Sequence, residues 1–240
     1  MGSNRAMYDH PCGAEVPRTT SITGQLDKSG PLTYWAAGAT ADYIIEKLNK
    51  FPNCDKETLF SIIEASRKNF RNVGKSAMDT GSRIHDAIEQ YFKTGKEPLN
   101  PSDQVMSGFL AFLEWKDIHK VEPIHLEHTV YGYDWAGTLD FYGLFDGKKY
   151  VIDWKSSKAI YDEMRYQVAG YRSASGDCEG CGILRLDKES GLPEWVDTSS
   201  TYQEDLSVFN LLVNLYWARN PKKLKQFNIA RGGLKDGTHG

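Results

Sequence analysis

The chain has 240 residues, 40% of them apolar, and a formal net charge of −3. That is enough apolar material for one α/β core and too little positive charge for a protein that coats nucleic acid, although a local basic groove remains compatible with it. No apolar run approaches the roughly 20 residues of a membrane span, and the polar N-terminus lacks the apolar stretch of a secretory signal. A cytoplasmic location away from the membrane is expected; Met1-Gly2-Ser3 reads as a tag remnant, and Ala6 breaks the myristoylation pattern.

In chain order, apolar periodicity predicts helices over residues 33–48, 56–71, 77–92 and 101–120, the last carrying Phe109, Leu110, Phe112, Leu113 and Trp115. Strands are expected over 124–131, in two arms flanking Asp146-Gly147, and over 182–186 and 193–196, with helices over 161–173 and 201–219. Gly176-Asp177 and Lys188-Glu189-Ser190-Gly191 read as turns. No repeat or low-complexity linker divides the chain. The expectation is therefore a single α/β domain over 1–240, with a helical part at 1–76, a core at 77–218 and a basic, flexible tail at 219–240. The tail holds Arg219, Lys222, Lys223, Lys225, Arg231 and Lys235 against Asp236; it can follow a phosphate backbone or simply be solvated.

The stretch from Gly137 to Lys158 carries the chemistry. Asp146-Gly147 is a two-residue hairpin signal between aromatic and β-branched runs. With Phe145 paired to Lys148, counting outward brings Asp140 opposite Asp153. Opposed residues in an antiparallel pair have Cβ atoms roughly 4.5 to 5.5 Å apart, and two carboxylates there repel by about 3 kcal/mol at an effective dielectric near 20. A divalent cation reverses that sign. The period of two puts Lys155 on the same face as Asp153, with Ile152 and Trp154 pointing into the opposite layer. The plain alternative is a half-exposed hairpin with a polar face, and a bulge at Gly147 would slip the register.

Two flanking helices add to this. Residues 78–91 place Ile84, Ala87, Ile88 and Tyr91 on one stripe and His85 with Glu89 on another; residues 161–173 place Gln167 and Tyr171 one turn apart. Arg83 and Arg172 are candidates for phosphate contact or plain solvated charge. Glu127 stands in the strand before the hairpin, where it can reach a second metal or belong to a polar strand edge with Glu122, His125 and His128.

Taken in order, Gly81 to His85, Gly137 to Asp140, Asp153 to Lys155 and Gln167 to Tyr171 match G-x-x-x-H, G-x-x-D, D-x-K and Q-x-x-x-Y. The series resembles the RecB-like branch of the PD-(D/E)XK nuclease superfamily, which includes phage exonucleases, CRISPR-associated RecB-like nucleases and the mitochondrial genome maintenance exonuclease. The resemblance covers about the middle hundred residues. A looser likeness runs over residues 19–36, where Ser21 and Thr23 would offer hydroxyls to a phosphate and Trp35 would pack under the entry helix; a plain capped helix start is the alternative.

The resemblance implies a restriction-endonuclease-like core, a mixed sheet flanked by helices, and a DNA exonuclease dependent on one or two Mg²⁺ or Mn²⁺ ions. Its metal would be held by His85, Asp140, Asp153 and the backbone carbonyl of Trp154, with Lys155 as the catalytic cation and Gln167 and Tyr171 holding the substrate backbone or bracing Lys155. DNA that is single-stranded or has free ends is the implied partner, with a recombination or single-strand-binding protein beside it, in a bacterial or phage-infected cell. A restriction-type endonuclease and a catalytically silent DNA-binding recombination subunit remain alternatives. Some relatives hold an iron–sulfur cluster on one early and three later cysteines; here Cys12, Cys54, Cys178 and Cys181 depart from that pattern, which leaves an iron–sulfur or zinc site against ordinary reduced thiols.

Overall fold

The structure is a computed structural model that describes residues 7–232. The chain divides into two compact units, Met1–Leu26 with Ile84–Gly240, and Asp27–Arg83. The smaller unit comprises α2 (Ser29–Lys50) and most of the long helix α3 (Lys56–Thr94). Within it the Trp35 ring meets Phe70 edge-on at 6.5 Å, and Asn69 Nδ2 donates to the Ala39 carbonyl.

α3 is one helix where the sequence suggests two. Gly74 lies in the gap between the two expected helices, and one interior glycine costs a helix only about 1 kcal/mol, which a 39-residue run of backbone hydrogen bonds absorbs. The expected boundary after residue 76 therefore falls inside a helix. The first described residues also differ from a helical expectation: β1 (Met7–Asp9) and β2 (Glu15–Pro17) form a two-stranded sheet, followed by the short helix α1 (Thr19–Thr23). Val16 and Ile22 are fully buried in the core of the larger unit.

That unit is built on a five-stranded sheet in the order β3 (Val121–Tyr131), β4 (Ala136–Phe145), β5 (Lys148–Lys155), β6 (Gly180–Leu186) and β7 (Pro193–Asp197). Only β5 and β6 run parallel, joined through α5 (Asp162–Ala174), the crossover that a parallel pair requires. The other neighbours are antiparallel. With helices on both sides, this is the mixed α/β, restriction-endonuclease-like core expected from the sequence. Asp146 and Gly147 both have positive φ, 49° and 83°, as a type I′ turn demands, and Phe145 pairs with Lys148.

Each face of the sheet has its own core. Tyr150, Ile152 and Trp154 of β5 enter one layer with Ile84 and Ile88 of α3 and with Phe109, Phe112 and Trp115 of α4 (Asp103–Ile118). Val151 enters the other, with Val168 and Tyr171 of α5 and Phe209 and Val213 of α6 (Tyr202–Arg219). Beyond α6, Pro221–Gly232 forms a further helix, α7, that buries Phe227, where a flexible tail is the sequence expectation. Arg231 lies 3.5 Å over the Tyr133 ring and donates to its carbonyl, so this basic residue is engaged by the fold; Lys235 and Asp236 lie outside the described residues. No helix among the described residues is long and apolar enough to cross a membrane.

Candidate active site

The site grows from a break in the β-alternation. On β4, Phe141 packs in the layer under α4 and Leu139 in the layer under α5 and α6, although residues two apart on a regular strand face the same way. On β3, Leu126 and Val130 part to the same two layers over four residues. The irregular residues are Asp140 and Glu127: the β3–β4 ladder omits a pair between Leu126↔Phe141 and His128↔Leu139, and Glu127 has φ 46°. A left-handed φ in a residue other than glycine costs roughly 1–2 kcal/mol, held in place here by the pairing on either side.

The β4–β5 ladder follows the counted register down to Phe141↔Ile152. The next step, Asp140 facing Asp153, is not a ladder pair: the Asp140 side chain replaces it, its Oδ2 accepting from the Trp154 amide at 2.7 Å. Asp140 Oδ1 lies 3.3 Å from His85 Nδ1, and Glu127 Oε1 lies 3.8 Å from the same nitrogen. Ile84 and Ile88, both fully buried, lock the turn of α3 that carries His85. Asp153, 1% exposed, pairs with Lys155 Nζ.

The electrostatics separate the two aspartates. Burial raises the pKa of both. For Asp140 the His85 imidazolium, the Lys155 charge and the Trp154 amide outweigh burial and hold the carboxyl below its ordinary value. For Asp153 burial wins over Lys155, the Asp140 charge adds to it, and the pKa rises to about 6. Burial pulls His85 toward neutrality, but Asp140 and then Glu127 push its pKa up to about 10. Lys155 is likewise penalised by burial, yet Asp153 and Asp140 hold its pKa above the ordinary lysine value, so it carries its charge.

The donors suit a divalent cation. The ligating atoms of His85, Glu127 and Asp140 all lie within 4.8 Å of one another. Asp153 Oδ2 is buried, and its partner is the Lys155 ammonium. Two carboxylate oxygens and an imidazole are donors that Mg²⁺ and Mn²⁺ accept. Glu127 thus joins His85 and Asp140, while Asp153 stands beside that group with Lys155.

Other sequence candidates sit differently. Gln167 and Tyr171 are buried, 8% and 2% exposed, and Gln167 Nε2 donates to Tyr171 Oη at 2.8 Å, so the two side chains engage each other. A Cβ at Gly137 would collide with Thr19 Oγ1 and the Tyr171 ring, which accounts for the glycine of the G-x-x-D pattern. Thr23 is buried, its hydroxyl donating to the Thr19 carbonyl; Ser21, half-buried, shares the same short helix. Arg172 stacks 4.1 Å over Tyr202 and donates to the Glu179 carbonyl, near the end of α5. Arg83 is exposed on α3, at the edge of the smaller unit. The Trp154 amide donates to Asp140; its carbonyl, the ligand that the resemblance implies, stays a proposal.

Cys178 Sγ donates to the Gly180 carbonyl, Cys181 Sγ meets the Thr198 hydroxyl at 3.4 Å, and Cys12 and Cys54 are half-buried free thiols. Among the described residues, the group of three or more metal-ligating side chains is His85, Glu127 and Asp140, with no cysteine in it. From the sequence, Glu127 is a weaker ligand candidate than Asp153. The usable signal was the pairing of β3 with β4, in which Glu127 falls opposite Asp140, but no strong turn motif spans residues 132–135 to set that count.

No protein-family model and no curated protein matches the chain. Among solved structures, it is similar to the LHK-Exo complex with dAMP at 12% identity and a TM-score of 0.35, covering 64% of this chain and 92% of that one. It is also similar to the alkaline exonuclease LHK-Exo from Laribacter hongkongensis at 14% identity and a TM-score of 0.30, covering 67% of this chain and 87% of that one. Likeness at this level assigns neither family nor activity to this chain.

Proposed function

We propose that this protein is a metal-dependent nuclease that hydrolyses phosphodiester bonds in DNA, acting from ends as an exonuclease in replication, recombination or repair. The observation that carries this reading is the junction of the Asp153–Lys155 ion pair with the His85, Glu127 and Asp140 group at one end of a single hairpin. A structural protein gains little from burying two carboxylates and a lysine together, since desolvation takes back most of the attraction between them.

His85, Glu127 and Asp140 would hold the cation, with Asp153 at its edge. What a bound Mg²⁺ or Mn²⁺ supplies is Lewis acidity, acidifying water and offsetting phosphate charge. The chain's own part is positional. The Trp154 amide fixes one oxygen of Asp140 and leaves the other toward His85. Asp153 holds the Lys155 ammonium at the end of β5, where its charge can stabilise the negative charge that builds on the attacked phosphate. Gln167 and Tyr171 brace this end of the strand from beneath.

The test is incubation with 5′- and 3′-labelled DNA, single- and double-stranded, linear and circular, with Mg²⁺, Mn²⁺ or EDTA. Release of nucleotides from linear DNA, abolished by EDTA and by Asp153→Ala, is the expected result. Hydrolysis that persists in Asp153→Ala would sink the assignment; cutting of closed single-stranded circles would replace exonuclease with endonuclease.

A further inference from the structure

His125 and His128 flank Glu127 on β3 and take no part in the contacts of the candidate site. Both are exposed. Their rings stack with centroids 4.5 Å apart and planes 18° apart, and His125 also lies nearly parallel to Tyr142 of β4, at 6.0 Å and 17°. Residues three apart on a regular strand face opposite sides of the sheet and cannot stack. Here the break at Glu127, with φ 46°, brings them together. The distortion that turns the Glu127 carboxylate toward His85 therefore also builds a flat aromatic column one residue away.

Among the described residues, no further ring packs on His128. Near-parallel rings present π surface rather than converging nitrogen lone pairs, so the column suits a planar organic group better than a metal ion. An unpaired nucleobase is such a group, and stacking on it is tolerant of sequence because every base has a π-face. A base stacked inside a duplex offers no free face.

Resting on the nuclease reading, we infer that His128 and His125, backed by Tyr142, form a stacking platform for an unpaired base of the substrate strand, one residue along β3 from Glu127 of the candidate cation group. The substrate class that follows is single-stranded DNA or a frayed end.

The test uses the full chain with single-stranded oligonucleotides that are intact or abasic at one position in turn. In Mg²⁺, His128→Ala should raise KM for the intact strand about tenfold, the size of one lost stacking contact, with a smaller change in kcat. His128→Phe should restore KM. One abasic position should weaken the wild type as much as His128→Ala does, and should add nothing in that variant. Thermal melting of both variants checks that they fold. If His128→Phe is as weak as His128→Ala while both melt like the wild type, or if neither variant changes KM, the platform is overturned and the nuclease reading stands. If the wild type cleaves no nucleic acid at all, the nuclease reading fails and takes the platform with it.

Discussion

The two faces of the central sheet put neighbouring residues of β5 to opposite uses. Tyr150, Ile152 and Trp154 enter a layer of rings, where Trp115 stacks on Phe145 at 5.4 Å and meets Trp154 edge-on at 5.9 Å. The other face buries polar groups: Thr19, Gln167, Tyr171 and, by alternation along the strand, Asp153 with Lys155 beyond it. The aromatic layer fixes the strand by dense contact, and edge-to-face pairs each add about 0.5–1.5 kcal/mol beyond burial. That rigidity is what allows the adjacent residues to hold charges in an arrangement that does not favour folding, as the raised pKa of Asp153 shows.

If this division holds, substitutions on the two faces should separate activity from stability. The largest effect is expected from Lys155→Ala, which should lower kcat by about 10²–10³-fold, the cost of removing one charge-stabilising group, with little loss of DNA affinity by anisotropy. Trp154→Ala should instead unfold the protein more easily by about 3–5 kcal/mol in urea titration. A Trp154→Ala chain of unchanged midpoint would break the comparison.

Smaller effects sharpen it. Gly137→Ala places a Cβ against Thr19 and Tyr171 and should cost about 1–3 kcal/mol by overpacking, read as a lower melting temperature. Tyr171→Phe removes the acceptor of Gln167 Nε2 and should cost about 1–2 kcal/mol; on the proposed bracing role of the pair, the Kd for DNA should stay the same. A changed Kd would move it back to the substrate.

The smallest effect concerns pH. The Asp153 pKa is about 6 in the folded chain against about 4 unfolded, so the folded state binds the extra proton. Its contribution is fully present below pH 4 and is lost as pH rises through 6. Relative to Asp153→Asn, the wild type should gain on the order of 1 kcal/mol between pH 7 and pH 5, in denaturation measured with EDTA.

Much of the hairpin is legible in the sequence. Asp146-Gly147 permits a left-handed pair of residues at little cost, that turn sets Phe145 against Lys148, and the period of two then puts Asp153 and Lys155 together. These are local rules, carried by residues within ten positions of one another. The apolar stripe of Ile84, Ala87 and Ile88 likewise marked the buried side of α3, with His85 off that stripe.

What lay beyond the sequence depends on segments that meet across long separations. The same count that pairs Phe145 with Lys148 would set Asp140 square against Asp153. Only the pairing of β3 with β4, and the approach of α3 some 40 to 55 residues earlier in the chain, turns Asp140 and Glu127 out of alternation toward His85. Gln167 and Tyr171 look the same in sequence whether they stand exposed or lie buried; the packing around α5 buries them and bonds them to each other. Local backbone preferences determined which residues share a strand face, and competition for burial between distant elements decided where that rule gives way, which is where the candidate site lies.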